Sequence, residues 1–176
     1  MAASPPYDAK LVELGEAKRE LASHELWASS PRCVLKKRVY ARKAELDALG
    51  VALCCTVKED LDDEIKEFRQ GFWPEAPIYL DAGMAWYKAV QGGGLTKSTL
   101  AGFLAKLLNP FSRLSANLKR SKAVEGNMKG EGFIHGGVFV IRKGAKRNEA
   151  AVFSHAEKEL GDGPPTDSII DAAKKA

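Results

Sequence analysis

Three cysteines, Cys33, Cys54 and Cys55, are the side chains of this sequence best suited to covalent chemistry. Cys33 sits among Arg32, Lys36, Lys37 and Arg38, near a predicted helix start. Neighbouring cations and a helix N-terminus both favour the thiolate, which is the nucleophilic form. The ordinary alternative is a free structural or surface thiol. Once oxidised, Cys33 would need an external thiol, or Cys54 or Cys55 brought close by the fold, to resolve it. Cys54-Cys55 lies in the apolar run Val51 to Val57, which reads as a buried strand. Adjacent strand residues point to opposite faces, so this pair reads as two small buried hydrophobes and not as a redox couple. No histidine or further cysteine stands at ligand spacing, so neither a metal nor a cofactor is expected. His24, His135 and His155 are isolated, and His135, in the Gly-rich approach to a strand, reads as a packing or loop residue. The glycines from Gly130 to Gly137 precede a strand instead of opening a helix. That excludes a dinucleotide fingerprint and implies close backbone approach beside a sheet.

The elements that must position these groups follow from periodicity. Residues 1–9 read as a loose tail, and 10–176 as one domain. Residues 10–27 fit either a helix face through Leu11, Leu14 and Leu21 or a hairpin turning at Gly15, followed by a helical turn capped by Ser23. Val34, Val39, Ala41, Leu46 and Leu49 share a face, predicting a helix over 34–49 that Gly50 terminates. Strands are predicted at 51–57 and 78–81, with helices at 61–70 and 83–90. This alternation implies an α/β sheet with helices packed on it. Gly136 to Arg142 is the clearest strand, and Ala150 to Phe153 is expected to return as its hairpin partner. Thr166-Asp167-Ser168 caps a last helix over Ile169, Ile170, Ala172 and Ala173.

Between Ser98 and Arg120 the apolar residues Leu100, Phe103, Leu104, Leu107, Phe111 and Leu114 recur at helical spacing, and Lys106, Arg113, Lys119 and Arg120 occupy the polar side. Asn109-Pro110 stops and restarts the helix. Such a stripe normally covers a sheet. It also suits docking on a protein partner or an anionic membrane.

Composition sets the outer bounds. The chain has 176 residues, a net charge of +4, 45% hydrophobic and 28% charged residues, all ordinary for one globular domain. Basic and aromatic residues do not interleave as in a nucleic-acid module. Three cysteines make no secreted disulfide framework, so an intracellular reducing compartment is expected: cytoplasm, or an organelle matrix or stroma, with a membrane surface as one placement. Met1 to Pro6 lacks the apolar core of a secretory signal, and no apolar run approaches the ~20 residues of a membrane span.

One set of segments resembles a known family. Gly50-Val51-Ala52-Leu53, Val57-Lys58-Glu59, Tyr79-Leu80-Asp81, the run Gly130-Glu131-Gly132-Phe133-Ile134-His135-Gly136-Gly137-Val138-Phe139-Val140, and Glu159-Leu160-Gly161-Asp162 resemble the peroxiredoxin-like 2 family of thioredoxin-fold antioxidant proteins. The resemblance implies a thioredoxin-like α/β fold, a central mixed sheet flanked by helices, with the amphipathic helical insertion at about 98–120. It also favours the N-terminal hairpin. The family's chemistry implies a strand feeding a Cys-x-x-Cys motif at the start of the next helix, where the helix N-terminus activates one thiol and the second resolves it. Between Trp27 and Gly50 this sequence has no such motif. An ungapped alignment puts Ala28 and Pro31 at the two positions. Alignment on Cys33 gives Lys36 as partner. In the third reading, which we prefer, Cys33-Val34-Leu35 is the stump of the strand and the rest is deleted.

The resemblance thus implies two functions. One is a redox-inactive accessory or structural subunit of a larger assembly, free of or peripheral to a membrane, with Leu100, Phe103, Leu104, Lys106, Leu107, Phe111, Arg113, Leu114, Lys119 and Arg120 as its interaction surface. The other is a thiol-dependent, peroxidase-like antioxidant oxidoreductase using Cys33. Protein partners are expected, and nucleic acid is not.

Overall fold

The computed structural model describes residues 2–15, 18–28, 32–34, 39–98, 134–159 and 162–176. Its centre is a seven-stranded mixed sheet in the order β2-β1-β5-β4-β3-β6-β7. The strands are β1 (Lys10–Glu13), β2 (Glu20–Ala22), β3 (Arg32–Val34), β4 (Ala52–Val57), β5 (Ile78–Leu80), β6 (Gly137–Ile141) and β7 (Phe153–Ala156). β3, β4 and β5 run parallel, and the remaining pairs are antiparallel. The described helices are α1 (Lys43–Ala48), α2 (Asp62–Phe72), α3 (Ala85–Val90) and α4 (Thr166–Ala173).

Strand alternation sends successive β4 residues to opposite faces, and each face has its own core. Leu53 and Cys55 join Leu46, Trp73, Ile78, Val140 and Ile169 on the face covered by α1 and α4. Cys54 joins Leu11, Trp27, Tyr79, Trp86 and Phe139 on the face covered by α3. The expected split of Cys54 and Cys55 between two buried environments is what the sheet shows.

Several local readings need correction. The helix expected over 34–49 is shorter. Val34 belongs to β3, Tyr40–Arg42 form a single 3-10 turn, and α1 spans only Lys43–Ala48. Its end is as expected: Gly50 (φ +71°) lets Val51 N–H reach Leu46 C=O (2.9 Å) and Gly50 N–H reach Asp47 C=O (2.9 Å), the paired bonds of a Schellman ending. The hairpin partner of β6 begins at Phe153, three residues later than its apolar run predicts. Ala151 N–H is drawn instead to Ala3 C=O (3.0 Å). That bond belongs to residues read as a loose tail, which also give Ala3 N–H to Ser154 Oγ (2.7 Å) and stack Tyr7 on His24. The turn at Ser23–Trp27 is held not by Ser23 but by Glu25, whose carboxylate accepts Ala22 N–H (2.7 Å). Ser23 Oγ donates to Ala9 C=O and accepts the Trp86 indole N–H. The final helix starts after Pro165, with Thr166 as its first residue. The helical insertion expected at 98–120, Ser98 apart, lies outside the described residues, with all of its proposed interaction surface.

Candidate functional site

Open α/β sheets present their chemistry at the carboxyl ends of the parallel strands. Here that edge is made by the ends of β3, β4 and β5. β3 pairs with β4 (Arg32↔Ala52, Cys33↔Leu53, Val34↔Cys54) and with β6 (Arg32↔Ile141, Cys33↔Val140, Val34↔Phe139). Only three residues, 29–31, separate it from Ala28, which closes the preceding turn. Trp27 anchors that turn by donating its indole N–H to Ala145 C=O (2.9 Å) and accepting Gly144 N–H (2.8 Å).

This arrangement bears on the three alignments. Ala28 and Pro31 precede the strand, so they do not stand where a strand runs into a helix. Cys33 is the middle residue of β3, and the first described helical turn after it begins at Tyr40. The strand-stump reading matches the sheet: β3 fills a central position with three residues. Leu35-Lys36-Lys37-Arg38 follow, without a cysteine.

Register gives the backbone separation between Cys33 and the two thiols of β4. Cys54 pairs one position further along, opposite Val34. Cys55 is two positions beyond Leu53, the residue opposite Cys33. With strands about 4.8 Å apart and a rise of about 3.3 Å per residue, that diagonal spans about 8 Å between Cα atoms, beyond the ~7 Å a disulfide tolerates. Cys54 and Cys55 are both buried.

A second group lies at the same end of the sheet and was not legible in the sequence. β6 starts where β3 finishes, and the residues leading into it carry a polar network. Ser98 Oγ lies 2.7 Å from His135 Nε2, and His135 Nδ1 lies 3.2 Å from Glu157 C=O. Glu157 Oε2 accepts Gly136 N–H (2.9 Å). The Gln91 amide donates to Gly136 C=O (3.2 Å) and Glu157 C=O (3.1 Å). His135 and Glu157 are 4% and 1% exposed. The sequence reading made His135 a packing residue. Hydrogen bonds tie it to Thr96 and Ser98 on one side and to Glu157 beyond β7 on the other, and no local spacing shows that.

On the α3 face, Asp81 accepts the N–H groups of Ala85 (3.0 Å) and Trp86 (2.8 Å) and so caps α3. Burial outweighs these two donors and raises its carboxyl above the usual value. Tyr87 donates to Thr56 C=O (3.3 Å), and burial likewise raises its phenol. No cluster of three metal-binding side chains occurs among the described residues.

Comparison with known proteins agrees with this geometry. A family model described as "AhpC/TSA antioxidant enzyme" matches residues 38–159. The Danio rerio protein named Peroxiredoxin-like 2A is 34% identical over 187 residues, covering 96% of this chain and 79% of its own length. The chain belongs to the peroxiredoxin-like 2 family. The Homo sapiens Peroxiredoxin-like 2A is 33% identical over 182 residues, covering 95% of this chain and 73% of its own. Both alignments are longer than the 176 residues of this chain, so each is gapped against it. Among solved structures, the bacterioferritin comigratory protein of Xanthomonas campestris, described with alkyl peroxide reduction activity, superposes with a TM-score of 0.57 at 12% identity, over 97% of this chain and 91% of that one. The mitochondrial 2-Cys peroxiredoxin of Plasmodium falciparum gives 0.55 at 9% identity, over 99% and 93%. At these identities the likeness is one of fold: thioredoxin-like, α/β.

Proposed function

We propose that this protein is a redox-silent member of the peroxiredoxin-like 2 family, retained as a structural or accessory subunit of a larger assembly. The junction after β3 carries the reading. The described strand ends at Val34, and no cysteine occurs between there and α1, while described strands pair on both sides of it. A thiol within a strand lacks the helix N-terminus that lowers a cysteine's pKa. Cys54 and Cys55, buried in β4, have the surroundings of inert thiols. The stretch 98–120 is the surface by which such a subunit would be held, against a protein partner or at the face of an anionic membrane. Among the described residues no helix is long and apolar enough to cross a membrane. In a native extract the protein should migrate well above its chain mass of 19.1 kDa. Charge reversal of Lys106, Arg113, Lys119 and Arg120 should return it to the mass of the free chain. Migration of all the native protein as free chain contradicts the proposal.

The family match itself favours a second reading, a thiol-dependent antioxidant oxidoreductase in which Cys33 attacks peroxide and an external thiol regenerates it.

A further inference from the structure

From the polar network at the start of β6 we infer that Ser98 and His135 form a nucleophile–base dyad able to accept an acyl group from an activated ester or thioester, a reaction independent of the cysteines. The protonation pattern follows from chemistry. A backbone carbonyl can only accept a hydrogen bond, so His135 Nδ1, 3.2 Å from Glu157 C=O, carries the ring proton. The lone pair is then on Nε2, and Ser98, at 2.7 Å, donates its hydroxyl to it. That is the orientation in which an imidazole removes a serine proton as the oxygen attacks.

The base is held in place. Gln91 Nε2 also donates to the carbonyl that orients His135 (3.1 Å), and Thr96 Oγ1 fixes the other end of the Gln91 amide (3.2 Å). His135 N–H bonds Thr96 C=O (2.8 Å), and Lys97 bridges Ile134, so the backbones bearing nucleophile and base are tied to each other. His135 is buried, whereas Ser98 is partly exposed, so the base is shielded and the nucleophile is reachable. The pair sits at the sheet end where β3 stops, the edge at which this fold presents reactive groups.

The step balances without a redox partner. Ser98 Oγ bonds to the acyl carbon, the bond to the leaving group breaks, and the serine proton passes through His135 Nε2 to the leaving group. Water then cleaves the acyl-serine by the reverse path. With a fluorophosphonate probe the Oγ–P bond forms, fluoride leaves and the proton stays on His135.

The test is labelling of the native protein with a fluorophosphonate, followed by peptide mass mapping. We expect the adduct on Ser98 and on no other serine, and none on Ser98 after denaturation. His135→Gln should slow labelling about a hundredfold or more, since a positioned general base contributes ~10²–10⁴-fold. Ser98 against the other serines of the wild-type chain decides the inference by itself, and the variant's rate is read on protein whose urea midpoint matches wild type. No adduct on Ser98, or Ser98 labelled no faster than exposed serines, overturns the inference.

Discussion

Gly137 shows how closely the sheet and α3 approach beside the polar network. A Cβ placed there would meet the His155 backbone oxygen at 2.4 Å and Val90 Cγ2 at 2.4 Å. The backbone atom cannot swing away as a side-chain tip can. Gly137→Ala should therefore cost about 1–3 kcal/mol through overpacking, read as a lower urea midpoint with unchanged slope. The sequence already implied close approach from the glycine-rich run. It did not reveal that Ser98 and His135 meet. Glycine acts through its own backbone, whereas a dyad depends on which distant segments the fold joins. Cys33 is similar: its basic neighbours were legible, but its place between Leu53 and Val140 required the sheet.

At the level of elements, α3 depends on its cap. Asp81 is buried, and burial raises its carboxyl above the usual value of 3.8. The folded protein thus holds this proton more tightly than the unfolded chain does. The resulting stabilisation is complete below the ordinary carboxylate range and is lost as pH rises through the raised value. Asp81→Asn removes that contribution. The stability of wild type relative to Asp81→Asn should therefore fall as pH is raised from below 3.8 through the mildly acidic range, checked by urea midpoints at a series of pH values. A difference that grew with pH would show the carboxylate to be favoured by its two donors instead.

Elements with strong periodicity or clear punctuation were legible: β4, α2, β6, and the Gly50 ending of α1. The N-terminal hairpin was favoured over a helix only by the family resemblance. Elements decided by competition were not. Val34 has a helical-face partner in the sequence but is claimed by β3. Ala150 to Phe153 reads as a strand by apolarity, yet Ala151 pairs with the N-terminal segment, and the more polar Ser154-His155 completes β7. Residues 2–9 look unstructured because they lack periodicity, but Ala3 and Tyr7 hold them through single bonds and ring contacts.

Over the described residues, a seven-stranded sheet with two buried faces includes a three-residue interior strand. The hydrophobic faces tolerate this because β3 still contributes a pairing position to both β4 and β6. Stability rests on that continuity, whereas thiol chemistry needs what should follow the strand. A family scaffold without its motif is the physical content of the proposed accessory role. The most direct test is peroxide consumption by the purified protein in the presence of a thiol reductant, beside Cys33→Ser. The account predicts that wild type consumes peroxide no faster than the variant. Turnover by wild type that Cys33→Ser abolishes would contradict it and establish Cys33 as a working nucleophile.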